Sequence, residues 1–150
     1  MNSTHTKVLL ALGTSIGDKE KNIQECIEYL RSINVQNIET ASLYETLPEG
    51  GVAKNVFLNT AILGEVEYEP KELLFLCKSI EFAMGRRKTL RWSDRIIDID
   101  ILLYGDQIID YPLLKVPHPL FHLRSFALKP AVEIAGSLMH PVLKKTLKQL

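Results

Sequence analysis

The sequence predicts an α+β fold in which helices pack on a mainly antiparallel sheet. Short apolar segments typical of buried strands alternate with two segments in which apolar residues recur at helical spacing. Their order along the chain is β-α-β-β-α-β, which is that of a ferredoxin-like sandwich. This arrangement hosts many unrelated activities, so the function has to be sought in particular side chains.

The first half of the chain contains a strand, a helix and a second strand. Residues 7–12 are apolar and precede Gly13, which is typical of a buried strand. From Asp18 onwards apolar residues recur at helical spacing while lysine and glutamate occupy the other face, which predicts an amphipathic helix. Residues 35–44 indicate a second strand, and residues 45–53 form a loop that contains proline and glycine.

The second half repeats the order strand, helix, strand. Residues 55–66 predict a long strand. Pro70 is suited to the first position of a helix because its missing N–H is not needed there, and Gly85 ends that helix. Residues 86–95 lack apolar periodicity and indicate a loop, whereas residues 96–104 alternate isoleucine or leucine with aspartate and predict another strand.

The segment after residue 111 is rich in proline. This composition predicts a Pro-rich C-terminal extension without long elements, followed by a closing helix near residues 142–150. The sequence contains no internal repeat, low-complexity segment or linker. We therefore expect residues 1–150 to form a single domain.

Composition and charge exclude several classes of protein. Hydrophobic residues make up 46% of the chain and charged residues 24%, and 18 basic residues balance 18 acidic ones. This neutral balance argues against a dedicated nucleic-acid binder, and no apolar run approaches the ~20 residues that span a bilayer. The polar start and the two cysteines, Cys26 and Cys77, favour a cytoplasmic protein with reduced thiols. We expect a monomer that binds neither nucleic acid nor a membrane.

Asp98 and Asp100 form the most informative pair of residues. Successive side chains of a strand alternate between its faces, so both carboxylates project together while Ile97, Ile99 and Ile101 point into the core. A hard cation relieves the repulsion between two carboxylates, and Mg²⁺ is commonly held by one or two carboxylates together with substrate phosphates. The alternative interpretation is an ordinary half-exposed strand with an acidic outer face.

A basic loop directly precedes these aspartates. Cations predominate over residues 86–95, where Asp94 is the acidic residue. Arginine matches phosphate oxygens with two parallel hydrogen bonds, so cations beside metal-binding carboxylates favour phosphate chemistry with a nucleoside triphosphate. A solvated basic loop is the other interpretation. The cations are Arg86, Arg87, Lys88, Arg91 and Arg95.

A third group of candidate residues lies within residues 116–126. His118 stands between two prolines, which restrict its backbone and orient the imidazole. His118 and Arg124 offer hydrogen-bond donors to a phosphate chain, and Phe126 offers a flat apolar face. Each of these residues alone is more often a packing residue.

Taken in order, these motifs resemble those of the 6-hydroxymethyl-7,8-dihydropterin pyrophosphokinases of folate biosynthesis. The run R-W-x-x-R-x-x-D-x-D at residues 91–100 is followed by V-P-H-P at 116–119 and R-x-F at 124–126. Similar motifs at residues 11–15 and 57–61 extend the resemblance over essentially the whole chain. The resemblance implies transfer of pyrophosphate from ATP to the hydroxymethyl oxygen of the pterin, with release of AMP.

The resemblance also implies roles for individual residues. Asp98 and Asp100 would hold two Mg²⁺ ions and would be catalytic together with Arg91 and Arg95. Phe57 and Phe126 would sandwich the pterin, and a flat heterocycle with a polar edge suits two aromatic faces and an amide. The implied ATP contacts are Glu81, Arg87, Lys88, Arg91, Trp92, Arg95, Ile101, His118 and Arg124. The implied substrate contacts are Thr46, Leu47, Pro48, Phe57, Asn59, Asp98 and Phe126.

The sequence departs from the family pattern on the nucleotide side. The basic loop is one residue shorter, so either Arg87 or Lys88 fills the role of a second arginine. Residues 93–94 replace a Gly-Pro pair, Lys78 stands where glutamine is common, and Pro119 stands where an aromatic residue is common. These departures bear on loop closure and nucleotide affinity.

Two other functions are weighed against this interpretation. The aspartate pair and the basic loop alone also fit another Mg²⁺-dependent phosphoryl or nucleotidyl transferase. An RNA-binding module of ferredoxin-like fold would need aromatic residues along a central strand and a basic surface, and the sequence has neither.

Overall fold

The fold is given by a computed structural model, which describes residues 5–47, 55–85, 96–119 and 121–150. The elements of the first part are β1 (Thr6–Thr14), α1 (Lys19–Ser32), β2 (Gln36–Thr40), β3 (Tyr44–Thr46), β4 (Phe57–Val66) and α2 (Pro70–Ala83). Those of the second part are β5 (Asp98–Tyr104), β6 (Ile109–Tyr111), β7 (Leu114–Val116), α3 (Ser125–Ala135), β8 (Met139–His140) and β9 (Lys145–Thr146). Short 3₁₀ turns occupy Phe121–Leu123 and Leu147–Gln149.

The main sheet has the strand order β2-β4-β1-β5, and β3 pairs with the start of β4. All its described pairings are antiparallel. β1 lies in the centre, hydrogen-bonded to β4 on one side and to β5 on the other. This order confirms the expected α+β class and its ferredoxin-like sheet.

The sheet is covered on both faces. Because side chains alternate along a strand, Val8, Leu10 and Leu12 of β1 pack with α1 and α2, whereas Leu9 faces the opposite side. On that side Leu9 belongs to a second buried cluster that includes residues of α3, such as Ala131. The protein therefore has a helix layer on each face of one sheet.

The expected start of α1 and both expected ends of α2 are confirmed. The Asp18 side chain accepts a hydrogen bond from the Lys21 backbone N–H (3.2 Å) at the start of α1. Pro70 is the first residue of α2, and Gly85 follows the helix with φ +97°, a left-handed conformation that suits glycine. The predicted strand at residues 35–44 is divided into β2 and β3.

The C-terminal part differs from the prediction. Proline usually breaks a helix, but α3 carries Pro130 inside the helix, where it is buried. Ala127, Ala131 and Ala135 recur every fourth residue and pack on the sheet, and this spacing is the helical signal in the sequence. The expected helix near residues 142–150 is wrong, because β9 and a 3₁₀ turn occupy that segment and β8 lies just before it. No helix in the described part of the chain is long and apolar enough to cross a membrane.

His140 is a buried polar residue that lies beside Phe121 of the second buried cluster. Its ring stacks on Phe121 with centroids 5.7 Å apart, and its Nδ1 accepts the N–H groups of Val142 (3.3 Å) and Leu143 (3.1 Å). An Nδ1 that accepts two N–H groups carries no proton. Burial, followed by the charge of His122, lowers the pKa of His140 below its ordinary value.

We expect His140 to make the protein less stable in mild acid. Because the pKa of His140 is lower in the folded than in the unfolded protein, the unfolded state binds a proton more readily. The free energy of unfolding therefore falls as pH drops below about 6.5. His140→Asn keeps an acceptor near the Nδ1 position without a titrating group. Thermal unfolding between pH 7.5 and 5.5 should therefore show a smaller loss of Tm in the variant than in the wild type. Parallel curves for the two proteins would contradict this assignment.

Candidate active site

A cavity of about 410 Å³ opens between the sheet and the N-terminal end of α3. Many residues singled out from the sequence line it, although they come from distant parts of the chain. These are Thr46, Leu47, Phe57, Asn59, Asp98, Asp100, His118, Arg124 and Phe126. The cavity thus unites the expected substrate side with the expected metal side.

The register of three strands sets the floor of the cavity. Gly13 of β1 lies opposite Asn59 on β4 and Asp98 on β5, so the three residues form one row across the sheet. With strands about 4.8 Å apart, Asn59 and Asp98 stand roughly 10 Å from each other across the glycine. A Cβ atom on Gly13 would lie 3.1 Å from Asn59 Oδ1. Glycine therefore leaves open the space between amide and carboxylate.

The two aspartates lie on the cavity face of β5 and Ile99 lies between them on the core face. The backbone N–H of Ile99 donates to Glu81 Oε2 (2.8 Å), and Lys78 Nζ lies 3.4 Å from Glu81 Oε1. Glu81 is 2% exposed. A buried carboxylate on α2 thus anchors the strand at the residue between Asp98 and Asp100.

The charges at this edge favour a cation. The Asp100 side chain is 44% exposed. Desolvation of its carboxylate by the surrounding protein, and then the charge of Asp98, nevertheless raise its pKa to about 6. His118 and Lys78 act in the opposite direction. His118 Nε2 lies 4.0 Å from Asp100 Oδ1. A positive ion beside both carboxylates would relieve the repulsion that raises this pKa.

His118 is oriented by its neighbours. Its backbone N–H donates to Leu102 O (3.0 Å) on β5, and the preceding Val116–Pro117 peptide bond is cis. The ring Nδ1 lies 3.0 Å from Pro119 O, and because a carbonyl only accepts, Nδ1 is the donor. The other ring nitrogen, Nε2, therefore points towards Asp100.

The opposite side of the cavity is aromatic and amide-bearing. Phe57 and Phe126 both line it, and the Arg124 guanidinium carbon lies 5.9 Å from the centroid of the Phe126 ring. Asn59 Nδ2 donates to Thr46 Oγ1 (2.8 Å) and to Tyr44 O (3.4 Å). Both contacts engage the NH₂ group, so Oδ1 is the atom of the amide turned towards Gly13.

Several residues expected at the site are placed elsewhere. Glu81 and Ile101 do not line the cavity: Glu81 is buried below β5, and Ile101 is 5% exposed in the core beside α1 and α2. The remaining expected residues lie outside the described ranges. They are Pro48, Arg87, Lys88, Arg91, Trp92 and Arg95.

The cavity also has walls that sequence reasoning did not assign to a site. Phe121 and Ala127 contribute from the α3 side, and Ala11 and Gly13 contribute from β1. The decrease in side-chain size from Leu9 through Ala11 to Gly13 is the available signal, because small side chains on one strand face leave a depression. The full set is Ala11, Leu12, Gly13, Thr60, Leu102, Phe121 and Ala127.

Comparison with known proteins identifies the family. Residues 9–136 match the sequence profile of the family described as 7,8-dihydro-6-hydroxymethylpterin-pyrophosphokinase. The chain belongs to this family. The matched residues run from within β1 to just past the end of α3 and therefore include every described residue that lines the cavity.

Relatives of the pyrophosphokinase occur alone and within longer proteins. A 2-amino-4-hydroxy-6-hydroxymethyldihydropteridine pyrophosphokinase of Aquifex aeolicus is 38% identical over 143 residues, covering 95% of this chain and 88% of the relative. A relative of the same name in Methylorubrum extorquens is 38% identical over 136 residues, covering 89% and 85%. The mitochondrial folate synthesis bifunctional protein of Arabidopsis thaliana is 36% identical over 137 residues, covering 91% of this chain but 25% of that protein.

Solved structures support the fold of the pyrophosphokinase. The crystal structure of Plasmodium falciparum HPPK-DHPS with pteroate has a TM-score of 0.77 and 18% sequence identity, covering 99% of this chain and 42% of that one. At this identity the likeness concerns the fold alone. It agrees with the antiparallel sheet and its helix layers described above.

Proposed function

We infer that this pyrophosphokinase transfers pyrophosphate from ATP to the hydroxymethyl group of 6-hydroxymethyl-7,8-dihydropterin in folate synthesis, releasing AMP. Family membership and two relatives of nearly the same length support this reaction. The cavity supports it independently, because one space holds a carboxylate pair at one end and an aromatic and amide surface at the other. That pairing is the observation that carries the proposal.

We propose that the pterin binds in a slot formed by Thr46, Phe57, Asn59 and Phe126, which we call the pterin slot. Two aromatic rings suit the faces of a flat heterocycle, and stacking adds to the area that they bury. Asn59 Oδ1 would accept a hydrogen bond from the polar edge of the ring. Leu47, which also lines the cavity, and Pro48 are proposed as further substrate contacts.

We propose that Asp98 and Asp100 hold Mg²⁺, two ions in the reacting complex. The donor set fits, since both are hard oxygen ligands on one strand face. In the described part of the chain no group of three or more His, Cys, Asp or Glu side chains could hold a metal ion, so the proposal requires substrate phosphates to complete the coordination. When bound, the metal supplies neutralisation of charge on the phosphate oxygens.

The chain's own residues would then position the two substrates. The pterin slot directs the hydroxymethyl group towards the carboxylate end, where its oxygen attacks the β-phosphorus of ATP in line. The new O–P bond forms as the bond to the AMP oxygen breaks, and the hydroxyl proton is released. Arg124, on the cavity wall, would donate hydrogen bonds to phosphate oxygens, and His118 would do so through Nε2 when that nitrogen also carries a proton.

Further nucleotide contacts belong to the same proposal. Arg91 and Arg95 would act on the reacting phosphates, and Trp92 with either Arg87 or Lys88 would complete the loop over them. Glu81 and Ile101 would influence the nucleotide from below the strand rather than from the cavity wall.

We also propose a single catalytic domain that acts as a cytoplasmic monomer without nucleic-acid or membrane partners.

Calorimetric titration with 6-hydroxymethylpterin tests the proposed function. The protein is titrated alone, with a non-hydrolysable ATP analogue, and with the analogue plus Mg²⁺. We expect pterin binding to appear or tighten when the analogue and metal are both present, because the phosphates and carboxylates together complete the site. Nucleotide binding with no response to the pterin would assign the phosphate site to a transferase with another acceptor. No heat from either ligand would contradict the proposed site altogether.

A further inference from the structure

Glu133 on α3 connects two segments that are far apart in the sequence. Its carboxylate accepts the backbone N–H of Ser42 (3.0 and 3.1 Å to the two oxygens) and the Ser42 hydroxyl (2.9 Å). The Tyr44 hydroxyl donates to the same carboxylate (2.7 Å). We call Glu133, Ser42 and Tyr44 the clamp. These contacts join α3 to the start of β3.

The two elements joined by the clamp carry opposite parts of the pterin slot. Phe126 lies in the first turn of α3, about two turns before Glu133. Thr46 lies at the end of β3, two residues after Tyr44, so both side chains project from the same face of that strand. The clamp therefore lies on the two elements whose separation sets the distance between Phe126 and Thr46.

The orientation of Asn59 depends on the same strand. Its Nδ2 donates to Tyr44 O and to Thr46 Oγ1, and both acceptors belong to β3. Tyr44 is thus hydrogen-bonded to Glu133 through its hydroxyl and to Asn59 through its carbonyl. A shift of β3 away from α3 would carry the acceptors of the Asn59 amide with it.

Hydrogen bonds of Ala41 with Ala61 and Thr60 hold the chain just before the clamp to β4, and β3 itself is a short strand. It is three residues long and pairs with the first three residues of β4. The hydrogen bonds from Tyr44 and then from Ser42 hold the pKa of Glu133 below its ordinary value, so the carboxylate is ionised at neutral pH. Hydrogen bonds to an ionised acceptor are stronger than neutral ones, which suits a contact that has to hold a short strand.

We propose that Glu133 is a positioning residue that holds β3 against α3 and so sets the width of the pterin slot. The inference rests on the proposed function, because it takes the slot as the pterin site. Glu133 itself is not among the residues that line the cavity. Its effect on the reaction passes through Thr46 and Asn59, and it should act on the pterin and not on the nucleotide.

The test compares Glu133→Gln with Tyr44→Phe and with the double variant. Glutamine removes the negative charge and one of the two acceptor oxygens. Its NH₂ group can only donate to the Ser42 and Tyr44 hydroxyls, so the contact loses its charge-assisted hydrogen bonds. Glu28→Gln is the matched control, because Glu28 is another exposed helical glutamate and pairs with Arg31 (3.0 Å) away from the cavity. Phe126→Ala tests the slot itself.

We expect Glu133→Gln to raise the KM and Kd for the pterin by about fivefold to tenfold, with kcat and the KM for ATP changed less than about twofold. Tyr44→Phe should weaken pterin binding in the wild-type background and add little in the Glu133→Gln background, since the two groups act as one contact. Glu28→Gln should leave the KM for the pterin unchanged.

Three results decide between the explanations. Weaker pterin binding in both Glu133→Gln and Phe126→Ala supports the clamp. Unchanged pterin binding in Glu133→Gln would overturn the clamp, and so would equal losses of pterin and ATP binding together with a lower Tm. If Phe126→Ala still weakens pterin binding in that case, the proposed pterin site stands. Unchanged binding in both variants would remove the proposed pterin site, and the clamp with it.

Discussion

Asp98→Ala is expected to lower kcat by at least about tenfold, which corresponds to about 1.4 kcal/mol of transition-state stabilisation. The variant removes one of the two carboxylates at the phosphate end of the cavity. Asp100 alone cannot provide the paired oxygen ligands that the proposed metal site uses. Pterin binding in the absence of nucleotide and metal should survive, because the ring is held at the other end by Phe57 and Phe126.

Steady-state kinetics and pterin titration of the same preparation check this result. Asp110→Ala is the control, because Asp110 is an exposed strand aspartate of β6 that pairs with Lys115 away from the site. That variant should keep wild-type kcat. A kcat for Asp98→Ala above about a tenth of the wild-type value would exclude Asp98 as a required metal ligand.

Glu81→Ala is expected to destabilise the fold by about 1–3 kcal/mol. The substitution leaves the Ile99 N–H without its buried acceptor. For a domain of this size each kcal/mol lowers Tm by roughly 2–4 °C. Glu81→Gln should be milder, because an amide oxygen can still accept from Ile99. Since Ile99 lies between the two aspartates, we also expect Glu81→Ala to lower kcat.

Thermal unfolding and kinetics of both variants separate two roles for Glu81. Glu72→Ala serves as the control, because it removes an exposed carboxylate from the first turn of the same helix. A lower Tm in Glu81→Ala and a near-normal Tm in Glu81→Gln would support anchoring of β5. An unchanged Tm with a raised KM for ATP in both variants would instead indicate a direct contact with the nucleotide.

The local sequence pattern was sufficient to predict which side chains of a strand share a face. The alternation of aspartate with isoleucine in β5 placed Asp98 and Asp100 on one side and Ile99 on the other, as observed. Pro70 and Gly85 likewise marked the ends of α2. These features depend on backbone geometry over a few residues, and such geometry is encoded in neighbouring side chains.

Other cavity residues, Thr46 and Asn59 among them, were predicted from the family resemblance and not from geometry. Nothing local to Thr46, Asn59 or Phe126 indicates that the three lie around one space. Their grouping follows from antiparallel pairing of β3 with β4 and from the packing of α3 on the sheet. Both arise from contacts between residues that are remote in the sequence.

By itself, the sequence determined the two periodicities, and therefore which elements form and which faces they bury. The tertiary structure alone decided the strand register that sets Gly13 between Asn59 and Asp98. It also decided that a helix containing Pro130 forms, because burial of its apolar face against the sheet outweighs the local cost of proline. The physical reason is the same in both cases: long-range burial and pairing are properties of the packed chain, and no short window of residues contains them.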